Sequence, residues 1–325
     1  MKKREWSKSN LAVFIILGII LFIIILTIWK INDVFRPRKT EQIKIDPADL
    51  IPESEDYYCI QDVKEQEDDG VMTILVLGDD SFALERGETG LAAMISEKTG
   101  ATVYNCAFEG SSFAGETKVL NYDDYPMECF SFYRLLTNLK ADDYYTLELA
   151  LNNLYAVPSY FEETIELIKT IDLNTVDIIL VSYGINDYLS GHITTDVNDE
   201  SSVGSVYGSI HSGVEIIREH FPHIKVVISS PSYAFYTEDD GELVGGDVRN
   251  TGTQTSENLG GYWGNIKSAA VSAGVTFIDN YINTGINSEN ASQYFDFEIS
   301  SYIPNEQGRK LIAEHIADVL LNRMY

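Results

Sequence analysis

From residue 71 onward the chain alternates short apolar runs with longer stretches of helical spacing. Unbroken apolar runs bounded by Gly or polar residues are typical of buried parallel strands, and they cover residues 73–77, 102–106, 177–183, 225–229 and 275–278. Apolar residues three and four positions apart predict helices between them, at 89–98, 128–139, 144–154, 159–171, 206–220, 262–273 and 305–323. The alternation predicts one doubly wound α/β domain over residues 71–325, with a five-stranded parallel sheet and a long polar loop at 237–257.

The N-terminal part has a different pattern. Residues 11–29 are 19 consecutive uncharged, mostly apolar residues, enough at about 1.5 Å per residue to cross a hydrocarbon core of about 30 Å. The run ends at Trp29-Lys30 without the small residues of a signal-peptide cleavage site. We expect one transmembrane helix, a cytoplasmic tail at 1–10, an acidic spacer at 30–70, and the main domain outside the cell membrane.

Charge excludes one class of partner. The formal net charge is −27, and residues 1–44 carry 9 of the 23 Lys and Arg but 3 of the 50 Asp and Glu. Clustered Lys and Arg are what bind phosphates, so the acidic remainder argues against nucleic acid. Three cysteines without metal-ligand spacing predict no metal and no cofactor. Cys106 has the surroundings of a core residue, whereas pairing of Cys59 with Cys129 stays open.

Polar residues follow three of the predicted strands. They are Gly78, Asp79, Asp80 and Ser81 after the first, Gly110 after the second, and Gly184, Asn186 and Asp187 after the third. The carboxyl ends of parallel strands meet at one edge of a sheet, so these residues predict a cleft there. Asp79, Asp80 and Asp187 converging on one point would suit a hard cation such as Ca²⁺, although capping of turns and helices is the commoner use of Asp.

Three motifs here resemble those of the SGNH (GDSL) hydrolases. They are Gly78-Asp79 after a strand, Gly-x-Asn-Asp from Gly184 to Asp187, and Pro-Asn-x-x-Gly from Pro304 to Gly308. The family contains esterases and acyl transferases of flavodoxin-like fold. The resemblance therefore implies a three-layer αβα sandwich with its active-site cleft at the carboxyl edge of the sheet.

The residues that carry catalysis in that family are only partly present. Family members place a nucleophilic serine directly after Gly-Asp, and an Asp-x-x-His pair directly before Pro-Asn. Here Asp80 occupies the nucleophile position and Ser81 follows one residue late, while Ser300 and Ile303 stand at the Asp and His positions. Asn186 matches the asparagine that donates to the oxyanion, and we expect it to polarise a bound carbonyl. The resemblance makes Gly78, Asp79, Gly110, Gly184 and Asp187 binding positions.

The sequence contains candidates for a replacement base and for a ligand-binding surface. His192 follows the Gly184–Asp187 turn and is the one histidine whose position in the sequence allows it to reach the cleft. Four aromatic residues near strand ends would suit sugar stacking: Tyr188, Tyr233, Phe235 and Tyr236. We expect a membrane-anchored, non-catalytic or strongly divergent protein that binds or scaffolds at acylated cell-envelope glycan, with a glycan or an envelope protein as partner. The alternatives are an active esterase, deacetylase or O-acyl transferase with a rearranged site using Ser81, and a structural interaction protein.

Overall fold

A computed structural model describes residues 56–65, 69–115, 120–237, 241–248 and 257–323. Its central sheet has five strands: β1 (Thr73–Gly78), β2 (Thr102–Asn105), β3 (Ile178–Ser182), β4 (Lys225–Ser229) and β7 (Thr276–Ile278). They are parallel and lie in the order β2-β1-β3-β4-β7. This order places the switch in winding direction between β1 and β3, the position at which doubly wound sheets form their ligand crevice.

Helices cover both faces of the sheet. They are α1 (Asp80–Ala83), α2 (Leu91–Thr99), α3 (Phe132–Ala141), α4 (Tyr145–Asn153), α5 (Tyr160–Thr170), α6 (Ile185–Ser190), α7 (Val206–His220), α8 (Leu259–Ala273), α9 (Asn280–Asn283) and α10 (Glu306–Arg323). Ile74 and Val76 of β1 pack in the core under α2 and α10, whereas Leu75 and Leu77 belong to the core under α3, α7 and α8. Alternate strand residues thus fill opposite layers, and the described domain is a three-layer αβα sandwich.

All five predicted strands of the central sheet are present, with ends that differ by one residue or less, and the predicted helices are present with small shifts. The predicted loop 237–257 is partly wrong, because β5 (Phe235–Thr237) and β6 (Leu243–Gly245) form a small antiparallel pair. Strands of three residues carry too little alternation for the sequence pattern to reveal. The short helices α1, α6 and α9 escaped prediction for the same reason.

Residues 56–65, which lie in the predicted spacer, pack along the β7 side of the domain. Tyr57 and Phe277 exchange backbone hydrogen bonds of 3.0 and 2.8 Å. Gln61 donates from Nε2 to Val226 O and accepts from Val226 N, at 2.8 and 3.0 Å. Pairing of this kind satisfies backbone groups that an edge strand would otherwise expose.

The structure bears on the predicted thiol pairing but not on the predicted transmembrane helix. The predicted transmembrane helix at 11–29 lies outside the described residues, and in the described ranges no helix combines the length and the apolar character needed to cross a membrane. Cys59, Cys106 and Cys129 are all free thiols, and Cys129 is fully buried. The open question of a Cys59–Cys129 disulfide is therefore answered in the negative.

Candidate functional site

The turns after β1 and β3 meet at the carboxyl edge of the sheet. A Cβ at Gly78 would lie 2.8 Å from the backbone oxygen of Ser182, so glycine permits the close approach of the two strand ends. Gly184 has φ +129°, a conformation that side chains with a Cβ rarely adopt. These two glycines let Asp80 and Asn186, on the first turns of α1 and α6, face each other.

The Asp80 carboxylate is the centre of this edge. Its Oδ1 accepts hydrogen bonds from Gly110 N at 2.5 Å and from Asn186 Nδ2 at 2.7 Å. Its Oδ2 accepts one from the Tyr302 hydroxyl at 3.3 Å. Only 5% of Asp80 is exposed. One side chain therefore connects four segments of the chain, including the residues just before the Pro304–Gly308 motif.

The N–H donors of Asn186 and Gly110 that face Asp80 are both occupied. A side-chain amide has two N–H groups, and Asn186 uses one for Asp80 and the other for the backbone oxygen of Ser111, at 2.9 Å. The single N–H of Gly110 points at Asp80 as well. The expectation that Asn186 polarises a bound carbonyl thus fails in this arrangement, because Asp80 already holds the hydrogen that would do so.

Asp79 has a local structural role. Its Oδ1 accepts from Ser81 N and its Oδ2 from Ile185 N, each at 3.2 Å, so it caps α1 and contacts the start of α6. Burial, and secondarily the nearby Asp80 carboxylate, raise the pKa of Asp79 well above its usual range. Asp79 is therefore a helix cap in surroundings that disfavour its ionised carboxylate.

Asp187 orders the loop that carries Gly110. It is fully buried, and its two carboxylate oxygens accept from Phe113 N at 2.8 Å and Ala114 N at 2.9 Å. His192 Nδ1 lies 3.2 Å from Asp187 Oδ1. The one histidine that the sequence allowed at the cleft thus contacts Asp187, and no hydrogen bond joins it to Asp80.

The three aspartates do not form a cation site. Their oxygens face N–H and O–H donors, and within the described ranges no group of three or more His, Cys, Asp or Glu is placed to hold a metal. Hard cations need several free oxygens around one point. The calcium alternative for Asp79, Asp80 and Asp187 therefore has no support in this structure, and capping accounts for their contacts.

Ser81 lies beside Asp80 without an activating base. None of the five histidines, all within the described ranges, hydrogen bonds to Ser81 or Asp80. They contact other groups: Asp187 for His192, the Tyr207 ring for His211, Glu219 for His220, Leu173 O for His223, and Asp56 and Asn280 for His315. A serine hydroxyl is a weak nucleophile unless a neighbour takes its proton. Ser81 is thus in place near the edge but is not activated by histidine.

The segment 300–303 takes the place of the family's Asp-x-x-His. Ser300 Oγ accepts from the backbone N–H groups of Tyr302 and Ile303, at 3.3 and 3.1 Å, which is a turn contact. Burial and the adjacent Asp80 raise the pKa of Tyr302 to about 12, so its hydroxyl remains a donor. Sequence reasoning missed Tyr302; its position one residue before Ile303 was the available signal.

A groove of about 770 Å³ lies along the outer side of the same segment. Its wall includes Phe297, Ile299, Glu85 and Asp296. Ile299 is 82% exposed and Phe297 is 40% exposed, so apolar surface lies next to carboxylates. Asp80 is not part of the groove's lining, and the groove is therefore a neighbour of the Asp80 cluster rather than its mouth.

The aromatic residues expected to stack on sugars are mainly core residues. Tyr188, Tyr233 and Tyr236 are buried, and Phe235 is half-buried. The Tyr188 ring packs edge-on against Tyr236 and Tyr262, with centroids 5.7 and 5.8 Å apart. Edge-to-face packing of this kind stabilises a core and leaves no ring face for a sugar, so the stacking hypothesis is wrong for the three tyrosines.

Comparison with known proteins gives a similar fold and little sequence similarity. No protein-family model matches the chain, and no curated protein matches it. A protein from Lactobacillus plantarum superposes with a TM-score of 0.51 at 15% identity, over 77% of this chain and 96% of that chain. A GDSL-like protein from Bacteroides ovatus gives 0.42 at 10% identity over 77% and 98%. The aryl esterase of M. smegmatis gives 0.43 at 13% identity over 78% and 100%.

Identity this low bears on the fold and not on the chemistry. The strand order, the Asp79-Asp80 turn after β1 and the Asn186 turn after β3 match the architecture on which the family's motifs are built. The described domain therefore shares a three-layer α/β fold with the Lactobacillus plantarum protein and has its motif turns at the carboxyl edge of the sheet.

Proposed function

We propose that this chain is a membrane-anchored, non-catalytic SGNH-fold protein that binds or scaffolds at acylated cell-envelope glycan. One observation carries the non-catalytic part of this proposal. The Asp80 carboxylate stands at the nucleophile position and accepts the hydrogen bonds of Gly110 and Asn186. The edge that would attack an ester is thereby closed by the chain itself.

The chemistry of ester hydrolysis explains why this arrangement argues against turnover. The reaction needs an activated nucleophile, a base that accepts its proton, and free donors for the oxyanion. Asp80 has no hydroxyl, Ile303 cannot accept a proton, and the donors already have an acceptor. Loss of one triad member typically costs several orders of magnitude in rate.

The binding part of the proposal is supported by the groove outside segment 300–303. It combines the apolar side chains of Phe297 and Ile299 with the acceptors Glu85 and Asp296. Sites for small ligands usually mix apolar walls with a few hydrogen-bonding groups. An acylated glycan offers both an apolar acyl group and hydroxyl donors, so its chemistry suits this wall.

The location part rests on the apolar run 11–29 and the short basic tail before it. Protease added to intact cells should remove the domain, because a ten-residue tail stays inside while a long domain crosses the membrane. Immunoblotting against the domain before and after lysis measures this. A domain that is protected in intact cells and cleaved only after lysis would contradict the outward orientation.

The absence of hydrolysis is tested with a fluorophosphonate probe and p-nitrophenyl acetate. We expect neither labelling nor turnover by the wild type, with an active serine esterase labelled in parallel as the positive control. Labelling that disappears in Ser81→Ala would overturn the proposal and favour a rearranged esterase. Restoring the family's residues with Asp80→Ser, Ser300→Asp and Ile303→His together should permit labelling, since the change frees Gly110 and Asn186 and supplies a base.

A further inference from the structure

Three donors converge on the Asp80 carboxylate: the Gly110 N–H, the Asn186 side-chain amide and the Tyr302 hydroxyl. Two of them are positioned by contacts that do not involve Asp80. The Asn186 amide is also bonded to Ser111 O, at 2.9 Å. The loop after Gly110 is fixed through the bonds of Phe113 and Ala114 to Asp187. The donors are therefore held in place for an anion, whether it is a side chain of the protein or a free ligand.

We propose that Gly110, Asn186 and Tyr302 form a carboxylate-binding site whose resident ligand is the Asp80 side chain. Asp80 then acts as a tethered ligand that keeps the site permanently filled. The inference concerns the same edge as the proposed function and rests on it in one respect, because both treat Asp80 as unreactive. It adds the ligand class, a small carboxylate, and identifies Tyr302 as a third donor outside the family's motif positions.

Tethering predicts that the site rejects outside ligands. An attached carboxylate acts at a far higher effective concentration than a free one, so a free acid competes poorly with it. Charge-assisted hydrogen bonds to a carboxylate are about twice as strong as neutral ones. Burial of Asp80, only 5% exposed, protects these bonds from water. The site opens to a free ligand only when the tethered group is removed.

Two shortened variants leave spaces of different size, and each space fits a different free acid. Asp80→Gly removes a methylene and a carboxylate, which together have the heavy atoms of acetate. Asp80→Ala keeps the Cβ and leaves space for formate. The full-length protein, in detergent, is heated with 100 mM sodium acetate, sodium formate or sodium chloride, and unfolding is followed by intrinsic fluorescence.

Acetate should raise the Tm of Asp80→Gly by about 2–5 °C over chloride, because a ligand that binds the folded state stabilises it by mass action. Formate should raise the Tm of Asp80→Ala, and acetate should not. The wild type and Asp80→Asn should not respond, since both still fill the site. Asp177→Gly is a matched control: its carboxylate accepts from Thr73 N at 2.7 Å at the opposite end of the sheet, and it lacks the converging donors.

The inference is overturned if Asp80→Gly and Asp80→Ala both fold and the Tm of neither responds to acetate or formate. So would an equal response by Asp177→Gly, which would show a general salt effect. Reaction of the wild type with the fluorophosphonate would refute the proposed function and leave the anion site standing. Failure of the acids to act, with the wild type inert, would refute the site and leave the lack of hydrolysis standing.

A second measurement keeps the inference testable if the shortened variants do not fold. Gly110 is exposed, yet its N–H is bonded to a buried carboxylate. Its amide should therefore exchange with deuterium slowly in the wild type and about tenfold or more faster in Asp80→Asn, where a neutral oxygen replaces the charged one. Fast exchange of Gly110 in the wild type would contradict the tethered-ligand role of Asp80.

Discussion

Two carboxylate clusters on this domain differ in one partner: the Asp56 cluster contains a histidine, and the Asp80 cluster does not. Asp80 is held by an N–H, an amide and a phenol. Asp56 accepts from Asp279 N at 2.8 Å and lies 3.0 Å from His315 Nε2. The first cluster has the position of an active site without a histidine, and the second has an Asp–His pair away from the strand ends that carry the family's motifs.

The electrostatics of the two clusters are opposite. Burial alone would raise the pKa of Asp56, but the bonds from His315 and from the Asp279 backbone outweigh it and lower the pKa. Asp79, beside Asp80, accepts only backbone N–H groups within the described residues, and burial and the neighbouring Asp80 raise its pKa. Burial thus acts in the same direction at both carboxyls, and the bonds from His315 and from the Asp279 backbone reverse the shift at Asp56.

The second cluster also shows that an Asp–His pair is not by itself a catalytic device. His315 Nδ1 lies 2.9 Å from Asn280 Oδ1, and Asn280 Nδ2 donates to Ser229 Oγ at 2.6 Å. The hydroxyl is separated from the imidazole by an amide, which does not relay a proton as a base does. The pair instead ties residues 56–65 to α10, so its role is to hold the N-terminal segment on the domain.

The larger expected effect comes from breaking this tie. His315→Ala removes the ring nitrogens that contact Asp56 Oδ2 and Asn280 Oδ1, and leaves Asp56 Oδ2 with the Tyr58 hydroxyl at 3.1 Å. We expect a loss of about 2 kcal/mol in the free energy of unfolding, because both groups are largely buried. Urea denaturation measures the loss, and limited proteolysis should show faster cutting within residues 56–65. His220→Ala is the control, since its partner Glu219 is 75% exposed and surface pairs contribute little.

Equal stability of His315→Ala and His220→Ala would contradict the role of the Asp56–His315 pair in holding residues 56–65 on the domain. Cutting within residues 56–65 at the wild-type rate would contradict it as well. In that case the backbone pairing of Tyr57 with Phe277, and the Gln61 side chain, would be sufficient to hold the segment.

The sequence predicted the sheet well because four of its five strands, β1, β3, β4 and β7, are buried and rich in apolar residues, whereas β2 is partly exposed. The runs at 73–77 and 225–229 end within one residue of β1 and β4. It also brought Asp80, Asn186 and segment 300–303 to one edge, since strand direction decides which ends meet. The motif resemblance then pointed to the right turns even though the reactive residues differ.

Which atom each side chain contacts could not be predicted. The Tyr302 hydroxyl and the two N–H groups of Asn186, all of which are already bonded, decide whether the edge can hold a substrate. Their contacts depend on small differences in tertiary geometry. His192 reads from sequence as a residue near the cleft, but the same loop geometry that brings it close directs its ring to Asp187. Tyr188 follows a strand end and yet lies in the core, because α6 turns it inward against Tyr262.

The smallest expected effect concerns pH, and it separates the two clusters by sign. The folded pKa of Asp79 lies above its unfolded value near 3.9, so folding favours the protonated form. Its contribution to stability is full below about pH 4 and is lost as the pH rises through the raised value. The folded pKa of Asp56 is lowered, so its contribution is present above about pH 4 and is lost as the pH falls further.

Asp80→Asn removes the negative charge that adds to the shift at Asp79. We therefore expect its stability to fall less than that of the wild type between pH 4 and pH 8, by about 1 kcal/mol, since one pKa unit corresponds to about 1.4 kcal/mol. Urea denaturation at several pH values measures the difference. Asp172→Asn is the control: it removes one exposed carboxylate elsewhere, which corrects for the change in net charge. Parallel pH profiles for the wild type and Asp80→Asn would mean that Asp79 is insensitive to its neighbour, and burial alone would then account for its raised pKa.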